Sequence, residues 1–472
     1  MSSLSLPVQL PSRTISTAKK RVAKLTLWPL VAATFFMVSG GTYGTEEIIH
    51  GAGYGRGILI LLFLPVLWCL PTAFMIGELS SALPQEGGYY AWVRRGLGNF
   101  WGFQEAWLSL AASIFDMAIY PTLFVFYLQQ MAPWFGVGNH AIYAGLFVVV
   151  TCAALNIAGI RVVGITSLWL FFLLSAPFAL IVVLAPFRMG ALGEAHAAAP
   201  AATGLGLLGG VLVAMWNYMG WDNASTIAQE VERPQRTYPK AMIAAVVLVS
   251  LTYVLPFVMV YLAGIPASMF GEDGSWATVA GVLGGKILGF EWLRFLIVLG
   301  GMMSAFGMFN ALVMSYSRLP LAMARDGMLP KVFAKLSAKT QAPWVAILVC
   351  AACWALCLRL GFKRLITLDI MLYGASLMLE FVTLVVLRIR EPELKREFRV
   401  PGGLIGAISC GVFPLLLLTL AMVESGNETV LGMNGLAFGA IIIGTGFLVY
   451  FVTGKLKLRQ TKPVVTEDFE TV

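Results

Sequence analysis

The amino-acid sequence predicts an all-α integral membrane protein of twelve transmembrane helices. Three observations carry that expectation. Of 472 residues, 59% are hydrophobic and only 12% charged, against roughly 25% charged in an average soluble domain. The apolar residues gather in runs of about the twenty residues that a bilayer crossing needs, and the mean hydropathy is +0.83. Two of the runs are broken near their middles by small and polar residues. A soluble enzyme, a nucleic-acid binder and a disordered scaffold are excluded by this composition. The 30 phenylalanines are spread along the chain, which argues against the alternating strands of an outer-membrane barrel.

Taken in order, the elements begin with a polar, basic tail over residues 1–27. Met1 to Lys24 has no short apolar core followed by a cleavage site, so it reads as a tail and not a leader. Predicted spans follow at 28–50, 56–82, 102–131, 141–159 and 162–186, forming a first set of five. The alanine-rich loop 191–203 leads to a second set at 205–231, 240–263, 287–317, 343–360 and 365–389. Spans at 403–423 and 431–453 add two C-terminal helices, and 454–472 is a solvated tail.

Lysine and arginine orient the whole. With both termini on one side, 25 of the 32 basic residues fall in segments on that side. The other side holds Arg56, Arg188, Lys286, Arg294, Arg359, Lys363 and Arg364. The positive-inside rule then makes the termini cytoplasmic, in a cell membrane. The cluster at 359–364 is the exception, lining an outer vestibule or marking shifted ends of spans nine and ten.

The first break is Ser39-Gly40-Gly41-Thr42-Tyr43-Gly44, and the second is Asn217-Tyr218-Met219-Gly220-Trp221-Asp222. Glycine costs about 1 kcal/mol per residue in a helix interior. The breaks lie roughly 179 residues and five spans apart, an odd number, so the second set enters the membrane from the opposite side. This is the trace of an inverted five-helix repeat (28–186 and 205–389) with one discontinuous helix in each half. Unwound backbone at the first break offers two kinds of site. A half-helix beginning near Thr42 would turn its positive end toward an anionic group such as a carboxylate. Carbonyls near Val38 and Ser39 would hold a cation.

Acidic residues inside spans are the sharpest chemical clue, because a carboxylate at the bilayer centre costs roughly 2.5–3.5 kcal/mol and faces a cavity or a partner. They are Glu46, Glu47, Glu78, Glu105, Asp116, Asp222, Asp369 and Glu380. Basic residues at similar depth are almost absent, which suits a cationic substrate, a proton relay, or both. Asp116 and Tyr120 are four apart and share a helix face, and Pro121 frees the carbonyl of Met117 beside them. Tyr218 and Trp221 flank the second break and can stack over a ligand cation. Glu78 and Glu105 lie toward the cytoplasmic ends of their helices, where loop backbone or headgroups are the plain partners. Glu380 reads equally as a cap or as a relay member.

The loop Pro84–Tyr90 is glycine-rich but lacks the Gly-Lys-Ser/Thr of a phosphate loop. Cys350, Cys353 and Cys357 have helical spacing and no histidine nearby, so they read as small core residues. No cofactor, metal or nucleic-acid partner is expected, and no enzyme activity.

Several segments together resemble the amino acid–polyamine–organocation superfamily, closest to the plant-type polyamine uptake and L-type amino acid transporter group. They are Val38–Glu47, Pro84–Trp92, Gly98–Gln104, Phe115–Pro121, Trp221–Thr226, Glu230–Pro234, Gly327–Pro330 and Leu379–Phe381, covering roughly residues 24–455. The resemblance implies alternating access, with substrate held between the breaks of spans one and six and spans three, eight and ten completing the site. It implies that Gly40, Gly41 and Gly44 form the first break, that Trp221 is an aromatic gate, and that Asp116 and Asp222 occupy the group's acidic positions. It places Glu230 in a motif that closes the cytoplasmic side. The chain departs from the group where plant members carry glutamates in span eight, reading Phe309-Asn310-Ala311-Leu312 instead. Residues 162–186 hold no lysine, Ser304-Ala305 supplies one hydroxyl where sodium-coupled relatives have two, and residues 132–140 hold no cysteine for a disulfide-linked heavy chain.

The expected function is therefore secondary transport of a cationic amine, a polyamine such as putrescine or spermidine or a basic amino acid, with proton coupling. Substrate would meet Ser39, Gly40, Gly41, Thr42, Gly44, Glu46, Asp116, Tyr120, Asn217, Tyr218, Trp221, Asp222 and Asn310. Asp116, Asp222, Glu230 and Glu380 are the proton-carrying candidates. The alternatives are a neutral or branched amino-acid permease, with Asn310 replacing an acidic contact, and a non-transporting amino-acid sensor.

Overall fold

The structure is a computed structural model, and it describes residues 25–84, 87–159, 165–188, 204–270, 275–288, 291–426, 428–430 and 432–454. It is helical almost throughout. Among the described residues, the strands are one two-residue hairpin, Thr429–Val430 with Met433–Asn434, and a single bridge from Leu25 to Val231. The helices are α1 (Leu27–Val38), α2 (Glu46–Leu64), α3 (Leu70–Ala82), α4 (Gly88–Leu97), α5 (Asn99–Met131), α6 (His140–Ile157) and α7 (Ile165–Leu184). After them come α8 (Gly204–Asn217), α9 (Pro234–Leu262), α10 (Trp276–Leu288), α11 (Trp292–Arg325), α12 (Trp344–Cys357), α13 (Phe362–Arg390), α14 (Gly403–Ser425) and α15 (Gly435–Gly454).

Among the described residues, eight helices are long and apolar enough to cross a membrane, and three more are apolar but shorter. Their outer faces explain the composition. On α9, Ile243, Val247, Leu251 and Leu255 form an exposed stripe at i, i+4 spacing. A stripe of this kind faces hydrocarbon when the helix crosses a bilayer. The helices differ in depth within the bundle. The apolar window of α5 is 78% buried, whereas that of α15 is 17% buried. So α5, packed on α11 and α13, is the central pillar, and the last two helices lie at the edge.

Both expected breaks are present. Helix α1 stops at Val38, and Gly41 (φ 95°) and Gly44 (φ 81°) sit in the left-handed region that side chains avoid. Those turns keep residues 39–45 irregular, so the half-helix begins at Glu46 and not near Thr42 as the sequence suggests. Gly53 (φ 72°) then separates this half-helix from the long run into α3, which carries a π-helical turn at Pro65–Cys69. At the second break α8 ends at Asn217, and Gly220 takes φ 86°. Beyond it Trp221–Glu230 winds as a 3₁₀ helix, so the second half of predicted span six is not α-helical.

Two further helices were not expected. The glycine-rich loop after Pro84 becomes α4, started by the left-handed Gly87 and ended by Gly98. Predicted span eight starts later, at Trp292, and runs on to Arg325, with α10 as a separate element before it. Two members of the basic cluster that broke the charge rule lie near Glu428: Lys363 Nζ is 3.6 Å and Arg364 Nε 3.9 Å from its carboxylate.

Candidate functional site

The two breaks fold against each other. Asn217 Nδ2 donates to the Gly44 carbonyl (3.3 Å), and a Cβ on Gly220 would meet the Met37 carbonyl at 2.7 Å. Only glycine allows that approach of backbone on backbone. Gly40 is wedged the same way: its carbonyl accepts from Ser304 Oγ (2.5 Å), and a Cβ there would meet that oxygen at 2.2 Å and Met308 Sδ at 2.4 Å. Tyr253 closes the frame by donating to the Asn217 carbonyl (2.8 Å).

Between the breaks, α5, α11 and α13 lies a small cavity of about 30 Å³. A water needs roughly 10–15 Å³ of such space, so in this conformation the cavity has room for about two waters. Its walls include the end of α1 (Met37, Val38), Gly40, Asp116, Tyr120, Tyr316, Asp369 and Tyr373. Asp116 is 7% and Asp369 2% exposed. Asp116 accepts hydrogen bonds from Trp216 Nε1 (3.2 Å) and Tyr316 OH (3.1 Å). Asp369 lies within electrostatic reach of both Asp116 and Asp222. Among the described residues, no lysine or arginine lines the cavity and no ion pair reaches these carboxylates. Burying anions in this way is costly unless a cation or a proton answers them.

From the cavity a polar path leads toward the arginine-rich end. Tyr373 lines the cavity, accepts from the Gly220 amide (3.3 Å) and donates to Asp222 (2.6 Å). Asp222 in turn lies within electrostatic reach of Glu105 and Glu380. Glu105 accepts from Ser109 (3.0 Å) through one oxygen; its other oxygen and both oxygens of Glu380 are buried without a hydrogen-bond partner among the described residues. Past these, Arg94 bonds Asp326 (2.6 Å), which also accepts from Tyr90 (2.6 Å). Toward the opposite end, Leu123 and Trp216 form the partition. Gly44 sits against both, and Trp216 meets Phe362 edge-on at 5.7 Å.

The sequence-predicted residues divide accordingly. Gly40, Asp116, Tyr120 and Asn217 line the cavity. Asp222 touches it only through Tyr373. Ser39, Gly41, Thr42 and Gly44 shape the break: Ser39 Oγ accepts from the Gly41 amide (3.1 Å), and Thr42 donates away from the cavity to the Thr252 carbonyl (2.8 Å). Glu46 faces the opposite end, holding a hydrogen bond from Tyr127 (2.5 Å). Trp221 and Tyr218 are not on the cavity wall: Trp221 Nε1 donates to the Tyr218 carbonyl (2.7 Å), and Tyr218 OH to the Leu61 carbonyl (3.0 Å). Asn310 is also absent from the cavity wall. It turns to α6, accepting from Asn156 Nδ2 at 2.9 Å, because its place on α11 faces that neighbour and not the breaks. The side chain of Glu230 lies outside the described residues.

Reading the sequence named Asp369 among the in-span acids without placing it at this site, and missed Tyr373, Tyr316, Tyr253 and Trp216. A signal for two of them existed. Asp369 and Tyr373 repeat on α13 the i, i+4 pairing of Asp116 and Tyr120 on α5.

The amino acid permease family profile matches residues 31–448. Polyamine transporter RMV1 of Arabidopsis thaliana is 32% identical over 447 residues, 93% of this chain and 86% of that protein. Polyamine transporter PUT1 of Oryza sativa subsp. japonica is 33% identical over 424 residues, 88% of this chain and 76% of that protein. More distant is the serine/threonine exchanger SteT of Bacillus subtilis (strain 168), 24% identical over 391 residues, 81% of this chain and 86% of that protein. The chain belongs to the amino acid permease family and is a membrane transporter, not an enzyme.

Proposed function

We propose that this amino acid permease family member carries cationic amines across a cell membrane by alternating access, with a polyamine such as putrescine or spermidine, or a basic amino acid, as its substrate. The observation that carries the reading is the central cavity, where Asp116 has phenol and indole donors, Asp369 lines the same wall, and neither has a resident cation among the described residues. A substrate ammonium supplies the missing charge. Carbonyls at the end of α1 add acceptors, and the tyrosines offer faces to the alkyl chain. The plant relatives' names support the same class.

The positive end of α2 already has Glu46 and Glu47 in its first turn, so it is poorly suited to a substrate carboxylate. This favours an amine over a neutral amino acid. The missing glutamates of span eight and the likeness to SteT favour the neutral permease instead. Competition separates the two: unlabelled putrescine blocks uptake of an amine carrier, and leucine blocks the neutral permease.

In this reading twelve spans form two inverted repeats and a C-terminal pair, with both termini cytoplasmic. The chain is shut on the cytoplasmic side by the Arg94–Asp326 pair. Protons pass by Asp222 to Glu380, whose unpartnered oxygens need a proton while they stay buried. The test is radiolabelled spermidine uptake into proteoliposomes. Asp116→Asn should lower it by about 100-fold, the scale of losing roughly 3 kcal/mol at a charged contact. Normal uptake by that variant overturns the proposed role of the cavity.

A further inference from the structure

A second cavity, of about 270 Å³, opens on the opposite side of the Leu123–Trp216 partition. It touches the central one through Leu123, which lines both, and Gly44 forms part of its floor. Its polar edge is Glu46, Glu47 and Gln129; its walls are apolar, with Phe126, Phe270 and Phe362 among them. Among the described residues, no lysine or arginine lines it. The positive end of a helix is worth about half an elementary charge, which leaves two ionised carboxylates far from neutralised. Glu46 is pinned by Tyr127, while Glu47 is exposed.

We propose that this outer cavity is a separate binding station for the substrate's ammonium-bearing chain, occupied before the central cavity opens. The inference rests on the cationic-amine reading above. Glu47, with Glu46 behind it, receives a terminal ammonium, and the methylene chain lies along the phenylalanines. Shape supports this assignment. The outer cavity has room for a short diamine in the conformation described, and the central cavity does not. Passage inward then requires only that Leu123 and Trp216 part.

The experiment is equilibrium binding of radiolabelled spermidine to the purified full chain, with stoichiometry and affinity measured. Two sites per chain are expected. Ala141→Phe, which puts a ring into the outer cavity beside α6, should remove one site and leave the other. Glu47→Gln should weaken that same site about three- to fivefold, the range of a partly exposed charge pair. Added salt should weaken it more than the central site. Asp116→Asn should remove only the remaining site. Melting temperature checks that each variant is folded. One site per chain, abolished by Asp116→Asn and untouched by Ala141→Phe and Glu47→Gln, overturns the outer station and leaves the proposed function standing. A single site sensitive to all three variants also overturns it. If no amine binds, both readings fall together.

Discussion

Two sets of buried carboxylates in this molecule are treated in opposite ways. At the end of α3, Glu78 is fully buried and fully answered. It accepts from Arg388 Nε (2.8 Å) and from the Val400 amide (2.7 Å), and Arg396 Nε lies 3.2 Å away. At the centre, Asp116, Asp369 and Asp222 are nearly as buried; Asp116 receives a phenol and an indole and Asp222 a phenol and backbone amides, but among the described residues no guanidinium pairs with any of the three. The difference separates structure from function. An acid whose counter-charge is covalently part of the chain holds elements together. In the proposed reading, an acid without one is suited to a charge that comes and goes.

The largest expected effect breaks the structural half of that contrast. Removing one member of a buried ion pair costs about 3–5 kcal/mol, because the partners stay charged and unpaired. Glu78→Ala should therefore collapse folding, seen as lost monodisperse protein or a much lower melting temperature. If this variant folds and transports normally, Glu78 does not brace the segment around Val400.

The next effect inverts the first. Asp116→Asn and Asp369→Asn should leave melting temperature unchanged or raised, since each removes an uncompensated charge, while amine uptake falls by one to two orders of magnitude. A variant that unfolds would show that the central acids are structural after all.

Smaller again is Tyr373→Phe. It removes the hydroxyl that joins the cavity to Asp222. A hydrogen bond to a charged group is worth about 1.5–3 kcal/mol, so uptake should drop about tenfold or more and its pH profile should move. An unchanged pH profile would detach Asp222 from the proton path.

Much of this was legible in the sequence, and the residues show why. Composition and run length give the class because the bilayer permits few backbone solutions. The breaks at Gly40–Gly44 and Asn217–Asp222 could be located because glycine and polar residues at mid-span are conspicuous. What could not be read was orientation about a helix axis. Asn310 and Ser304 share α11, yet one faces α6 and the other the Gly40 carbonyl. Nothing local to Asn310 says which. The resemblance makes Trp221 a gate; here its indole donates to the Tyr218 carbonyl, and it is Trp216, five residues earlier, that lies with Leu123 against Gly44. Helix α4 was hidden because its apolar face is short and its glycines read as loop.

The weakest effect lies at the surface, where the same charges matter least. Arg95 and Glu391 join α4 to the end of α13 at 2.7 Å, with both side chains about a third exposed. The Arg95 guanidinium holds the Glu391 carboxyl below its ordinary range. A carboxylate with a lowered folded value adds stability above the unfolded value, and loses it as pH falls through the folded one. The latch should hold at neutral pH and slacken in acid below the usual glutamate range. Exposed pairs are worth about 0–1 kcal/mol and are screened by salt. Glu391→Gln should thus shift the melting temperature only slightly, and less at high ionic strength. Uptake should change less than threefold. A loss as large as that of Asp116→Asn would mean that closure of the arginine-rich end, and not the central acids, limits transport.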